Sequence, residues 1–219
     1  MPDIQISQKL ISFITFLPIF LISLCVHEFA HALSASKLGD DTAKNLGRLT
    51  LNPFKHADLI GTYLMPLFSL TTGIALIGWA KPVPINMSKF KNPLRDDAIV
   101  SFAGPFSNFI LSFVMFILLL TADHFVHGDK HLIINLCWYG VFLNIFLFFF
   151  NLLPIPPLDG SHIIFDIFPN NYTAMLRKLG IYGSILLMLF IYSPLWSFFM
   201  KFINLILSLF IKTAVIFNV

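Results

Sequence analysis

Leu10 to Val26 is apolar apart from Ser12, Thr15 and Ser23, and Ala32 to Leu38 continues with small residues to Lys37, so His27-Glu28-Phe29-Ala30-His31 is the one stretch between them with strongly ionisable side chains. Ile6 to Lys37 therefore reads as one helix, longer than the roughly twenty residues that suffice to cross a bilayer. Gly39 to Asp58 is polar, with a β-like run from Leu46 to Leu51 before Asn52-Pro53. His56 and Asp58 close it, either as interfacial residues at a helix start or as groups supporting a site. Leu59 to Trp79 is apolar and long enough to cross, yet it contains Pro66 and the break Ser69-Leu70-Thr71-Thr72-Gly73. Gly78 to Asn86 is extended and punctuated by proline. Asp96-Asp97 then caps a span from Ala98 to Leu120, and Leu132 to Phe150 forms the next, with Asn135 and Asn144 inside it. Pro154, Pro156 and Pro157 cannot stay helical, so the chain must break after Asn151. Ile181 to Tyr192 and Leu195 to Phe217 read as a closing helical pair bent around Pro194, with Lys201 snorkelling toward the outer surface. The expected architecture is an all-α polytopic membrane protein with about five to six membrane helices. A small re-entrant or β-hairpin element lies between the first two core helices. Residues 1–168 form the core and 169–219 a C-terminal helical pair.

Composition agrees and excludes the soluble classes: 57% of residues are hydrophobic and 11% charged, where soluble domains carry about a quarter charged. The net charge of +3 is small, and no nucleic-acid partner is expected. The placement of charge matters more. Lys37, Lys44, Arg48 and Lys55 precede Leu59 to Trp79, and Lys81, Lys89, Lys91 and Arg95 follow it, so both flanks read as cytoplasmic. A segment that enters and leaves on one side resolves the conflict. Thr121 to His131 carries one Lys and two Asp, as an outer connection should. Its His124, His127 and His131 are too loosely spaced on an exposed loop to read as a metal site. Cys25 and Cys137, in apolar segments, are expected as free buried thiols.

The chemistry begins at His27 and His31. Four apart on a helix, they share a face and can reach one tetrahedral Zn²⁺, with Glu28 beside them as a base for an activated water. Phe29, at the middle of the motif, is about 12 Å from the Lys37 end at 1.5 Å per residue, so the site lies nearer that face. Ionisable groups at such depth are costly and point to function. A catalytic zinc takes three protein ligands and leaves one position open. Asp159, presented by the proline-broken backbone, is the obvious third; the competing reading makes it an N-cap for the turn at Gly160. His162 and Asp166 are weaker rivals. Gly104 and Pro105, in a run of small residues, allow close approach between helices, and Asn108 reads as an interhelical hydrogen-bond partner. Trp79, Pro82, Val83 and Pro84 form either an interfacial loop or an edge that receives an extended peptide.

Three motifs in order on apolar spans, His27-Glu28-x-x-His31, Gly104-Pro105-x-x-Asn108 and Asn151-x-x-Pro154-x-Pro156-x-Leu158-Asp159-Gly160, resemble the site-2 protease family of intramembrane zinc metalloproteases. The resemblance is to the compact branch without PDZ or CBS modules and covers about Leu10 to Asp166. It implies one zinc held by His27, His31 and Asp159, Glu28 as general acid/base, and a substrate backbone held by Asn151. It further implies a transmembrane protein substrate, while composition sets a multi-pass cell-membrane location and the charge pattern, not the resemblance, sets the site nearer the cytoplasm. A non-proteolytic zinc-binding scaffold would not need Glu28. A metal or proton transporter should show a polar path on several spans and inverted repeats, and neither is present.

Overall fold

The computed structural model describes residues 2–72, 78–125, 131–171, 173–174 and 179–216. Helix α1 (Pro2–Lys37) opens the chain, followed by the short α2 (Thr42–Asn45) and α3 (Pro53–His56). A π-helical turn (Leu59–Leu64) leads into α4 (Met65–Thr72). Beyond a one-turn 3₁₀ segment come the long helices α5 (Pro93–Phe125) and α6 (His131–Asn151), then α7 (Asp159–Ile167), α8 (Ile181–Ile191) and α9 (Pro194–Ile216). Four helices among the described residues are long and apolar enough to cross a bilayer: Phe13–Lys37, Pro93–Ala122, His131–Asn151 and Pro194–Ile216. The apolar helices Leu59–Ser69 and Tyr182–Ile191 are shorter.

Helix α5 packs against both α1 and α6. Ile19 and Phe20 of α1 meet Leu143 and Leu147 of α6 in one cluster. Phe116, Val141, Ile145, Ile203, Leu207 and Phe210 join α5, α6 and α9 in a larger one. Large apolar residues such as Phe113, Val114, Ile117 and Leu118 remain exposed along α5, as lipid-facing surface should.

Between α1 and α5 no strand occurs among the described residues, so the β-hairpin alternative is corrected to a helical one. Leu46 to Leu51 is likewise not extended: it bends away from the end of α2. The chain doubles back instead. Trp79 N–H donates to the Gly61 carbonyl at 3.1 Å and its own carbonyl accepts from Thr62 Oγ1 at 2.9 Å. The segment thus returns to its own beginning. Asp58 caps that beginning by accepting from the Ile60 and Gly61 N–H groups, which makes it a helix-start residue. Gly61 is required there, because a Cβ would lie 2.5 Å from the Trp79 ring. Helix α5 begins earlier than expected, at Pro93, where proline suits the first turn and Asp96 accepts from the Asn92 N–H at 3.0 Å.

Asp40 fastens the extended stretch to α1. The helix ends with Gly39 at φ +109° and the Asp40 N–H returning to the Ala35 carbonyl at 2.9 Å. The buried Asp40 carboxylate accepts from the Asn86 N–H at 2.6 Å and from the Thr42 N–H and hydroxyl, with Lys89 Nζ at 3.4 Å. Burial pushes this carboxyl up, but the donors from Thr42, Asn86 and Lys89 outweigh it and hold it below the ordinary range. A depressed folded value means the tie stabilises the fold above the ordinary carboxylate pKa of about 3.9 and is lost as pH falls through the folded one. Asp40→Ala is therefore expected to lower the melting temperature at pH 7 and to match the parent protein at strongly acidic pH. A pH-independent difference would show that the carboxylate is not the tie.

Candidate active site

Helix α1 carries His27, Glu28 and His31 into a buried position with exposures of 7%, 8% and 5%. Their spacing puts the two imidazoles on one face, with ring centroids 4.6 Å apart and edge to face. Helix α5 supplies the other wall. A Cβ on Gly104 would lie 2.7 Å from His27 Nε2 and closer still to His31 Nε2, so only glycine leaves room for both rings.

Asp159 arrives from the far side. Helix α6 ends at Asn151, the proline-rich turn follows, and α7 begins at Asp159, with Leu158 extended before it at φ −72° and ψ 154°. Asp159 thus occupies the first helical position and not the N-cap. A Cβ on Gly160 would lie 2.5 Å from the Leu153 carbonyl oxygen, so glycine lets α7 fold tightly back on the end of α6. A Cβ on Gly183 of α8 would likewise lie 2.6 Å from the Cβ of buried Pro156, so glycine lets α8 pack on this turn. The result sets His27 Nε2 3.2 Å from Asp159 Oδ2 and His31 Nε2 3.4 Å from Asp159 Oδ1. One donor atom from each of the three residues lies within 4.8 Å of the others.

This donor set fits a metal ion for a reason beyond its composition. His31 Nδ1 lies 2.8 Å from the Val100 carbonyl; a carbonyl only accepts, so this nitrogen carries the proton. His27 Nδ1 lies 2.6 Å from Asn108 Oδ1, again an acceptor. In the neutral rings both Nε2 lone pairs then point inward, 3.0 Å from each other and next to a carboxylate. Such convergence is repulsive unless a cation sits between them, and a cation is what two imidazoles and a carboxylate bind.

Glu28 sits beside this cluster, and its Oε2 accepts from the Val83 N–H at 2.8 Å. Val83 is buried, and its side chain packs with Ala32 and Ala43. The stretch around it is extended, with Ile85, and Met87 at the start of the 3₁₀ turn that follows, also packed against Ala35, Phe90 and Val100. Lys81 N–H donates to the His56 carbonyl at 2.9 Å, and the Lys81 carbonyl accepts from Arg48 Nη2 at 2.7 Å. The inward edge of the stretch is thus tied down. Pro82 and Pro84 alternate outward and carry no N–H. Trp79 is half exposed.

The remaining expected residues distribute unevenly. Asn151 is half-buried at the end of α6, its amide nitrogen donating to the Leu147 carbonyl at 3.0 Å. Pro154 is exposed. His162 turns to Asp97, at 3.6 Å, and not to the cluster. Asp166 is buried and no part of the His27, His31 and Asp159 group. His56 is buried, its Nε2 paired with the Thr50 carbonyl at 2.9 Å. Cys25 and Cys137 are free and buried. The side chains of His124 and His127 lie outside the described residues. Ser23 and the Val100 carbonyl were not singled out from the sequence, and Asn144 was noted only as a polar residue inside its span, with no role at the site.

Comparison with known proteins adds the family to which the sequence belongs. The model of peptidase family M50 matches residues 15–191. The chain is 42% identical over 184 residues to YwhC of Bacillus subtilis, provisionally named a zinc metalloprotease, covering 81% of this chain and 80% of that one. It is 31% identical over 179 residues to MJ0611 of Methanocaldococcus jannaschii, which bears the same provisional description, covering 74% and 81%. It is 37% identical over 146 residues to Rip2 of Mycobacterium tuberculosis H37Rv, again so described, covering 64% of this chain and 52% of that longer protein. No solved structure matches significantly. The family model spans most of the chain and the relatives share its description, so the chain belongs to that family: this is a membrane zinc metalloprotease of peptidase family M50, the site-2 protease family.

Proposed function

We propose that the protein cleaves a peptide bond within or near a transmembrane segment of a membrane-protein substrate, using one zinc ion held by His27, His31 and Asp159. The observation that carries this reading is the convergence of those three side chains, two of them with Glu28 on a helix long and apolar enough to span a bilayer. Zinc bound there supplies a Lewis acid that lowers the pKa of a water and polarises the scissile carbonyl. Glu28 accepts the water's proton and returns it to the leaving amine. The Val83 N–H engages Oε2, which fixes the carboxylate's orientation and leaves Oε1 for the water.

A substrate helix must unwind locally, because its peptide groups are otherwise engaged in their own i to i−4 bonds. Trp79, Pro82, Val83 and Pro84 border the path that an extended substrate would take. The outward edge supports one-sided pairing: Pro82 and Pro84 offer carbonyls to substrate N–H groups and donate nothing in return. Asn151 is the second backbone holder, since its side-chain oxygen is left available beside the amide bond to Leu147.

The charge pattern puts Lys44 and Lys89 on the cytoplasmic side, and the contact of Lys89 Nζ with Thr42 Oγ1 at 2.7 Å supports a common face for both. The site then opens nearer the cytoplasm, and Leu59 to Trp79 is re-entrant. Single cysteines at Lys44, Lys89 and Asp129, in a background lacking Cys25 and Cys137, should react with an impermeant thiol reagent in intact cells at position 129 only. Labelling at 89 without 44 would mean that Leu59 to Trp79 crosses.

The function itself is tested by comparing membrane-protein fragments in cells carrying the parent protein or Glu28→Gln. Fragments ending within a transmembrane segment are expected only with the parent protein. Identical fragment sets would overturn proteolysis and favour the zinc-binding scaffold.

A further inference from the structure

A chain of buried amides leads away from His27. Asn108 of α5 has its oxygen on His27 Nδ1 at 2.6 Å. Its nitrogen donates to the Ser23 carbonyl of α1 at 3.1 Å and to Asn144 Oδ1 of α6 at 2.9 Å. Asn144 in turn donates from its nitrogen to the Gly140 carbonyl at 2.8 Å and to the Ser23 hydroxyl at 2.9 Å. Ser23, Asn108 and Asn144 are each 0% exposed, so water cannot substitute for any member.

The direction of this chain is determined. An amide can present either its oxygen or its nitrogen to a neighbour, but a backbone carbonyl can only accept. The Gly140 carbonyl therefore forces the Asn144 nitrogen toward itself, which turns Asn144 Oδ1 toward Asn108. Asn144 Oδ1 and the Ser23 carbonyl both then demand the nitrogen of Asn108. Only the Asn108 oxygen remains for His27, and an acceptor at Nδ1 puts the ring proton there and the lone pair on Nε2. The opposite polarity would place the proton on Nε2, where it blocks a metal.

We infer that Asn144, with Ser23, is a positioning residue for the metal site: it acts through Asn108 to hold His27 in the one tautomer that can ligate zinc. This rests on the zinc reading above. Outer partners of a metal-bound imidazole are commonly worth 10–100-fold in affinity, and here the outer partner is itself polarised from a third helix. The assignment differs from a packing role in what it predicts for two substitutions. Asn144→Leu matches the shape but removes one of the two acceptors on the Asn108 nitrogen, leaving the Ser23 carbonyl alone to orient that amide. Asn144→Asp keeps an oxygen facing Asn108 and, when protonated in this buried setting, still donates to Gly140.

The test is zinc affinity of the purified full chain in lipid nanodiscs, by chelator competition, together with nitrogen NMR of labelled histidine to read which ring nitrogen of His27 bears the proton. Asn144→Leu should bind zinc at least about tenfold more weakly and show a mixed His27 tautomer in the zinc-free protein, where Asn144→Asp stays within about threefold of the parent. A packing role predicts the reverse order, with leucine tolerated and aspartate not. Parent-like zinc affinity in Asn144→Leu overturns the inference. Where that variant does not fold, a folded Asn144→Asp that loses zinc more than tenfold overturns it equally. Failure of the parent chain to bind zinc would overturn the metal reading and this inference with it.

Discussion

Glu28→Gln is expected to retain the fold and the metal while lowering peptide cleavage by about 10²- to 10⁴-fold, the range over which a positioned acid/base contributes. The substitution separates two properties of this residue. Its Oε2 accepts the Val83 N–H, and a glutamine carbonyl oxygen can take over that bond, so the extended stretch stays docked. An amide nitrogen, however, cannot accept the proton of an attacking water. Cleavage of a transmembrane substrate reconstituted with each variant measures the loss, and metal analysis of the same samples measures retention. Cleavage within tenfold of the parent rate would mean that the proton goes elsewhere, and the mechanism above would fall.

The second large effect is on the metal. The parent chain is expected to hold about one zinc, and His27→Ala or Asp159→Ala to lose it, with affinity falling by more than the roughly 100-fold that an outer partner commands. Gly104→Ala should do the same with all three ligands present, because its methyl group would enter the space where the two Nε2 atoms converge. That variant probes the cradle and not the ligands. Metal analysis after gel filtration is sufficient to measure all three. Stoichiometric, tightly bound zinc in Asp159→Ala would remove Asp159 from the ligand set. His162 would then be the next residue to test, although it now faces Asp97.

Much of this site was legible without coordinates because it depends on local periodicity. Two histidines four apart on an apolar helix share a face whatever surrounds them, and prolines at 154, 156 and 157 must end α6 wherever α6 lies. Composition and length read about five to six membrane helices, whereas four among the described residues are long enough to cross and the apolar helices Leu59–Ser69 and Tyr182–Ile191 are shorter. The basic residues on both sides of Leu59 to Trp79 conflicted with a crossing, and the return of Trp79 onto Gly61 gives that conflict its geometric form. Helix starts were less legible. The sequence reading opened the second long helix at Ala98, but Asn92 and Pro93 start it a turn earlier, since an asparagine before proline reads equally well as a loop.

What only the tertiary structure decided are the pairings between residues far apart in the chain. Whether the Asp159 carboxylate would cap a turn or face the two histidines was open until the close approach of Gly160 to Leu153 turned it toward His27 and His31. Val83 read from the sequence as part of an interfacial loop or a peptide-receiving edge, and only the structure shows its backbone N–H meeting Glu28 across 55 positions. Asn144 was a polar residue in a span, and its partner Ser23 is 121 positions away. Residue type states what a group can donate or accept. Which group it meets depends on how α1, α5 and α6 interlock, and that is set by shape complementarity along three whole helices, which no local pattern encodes.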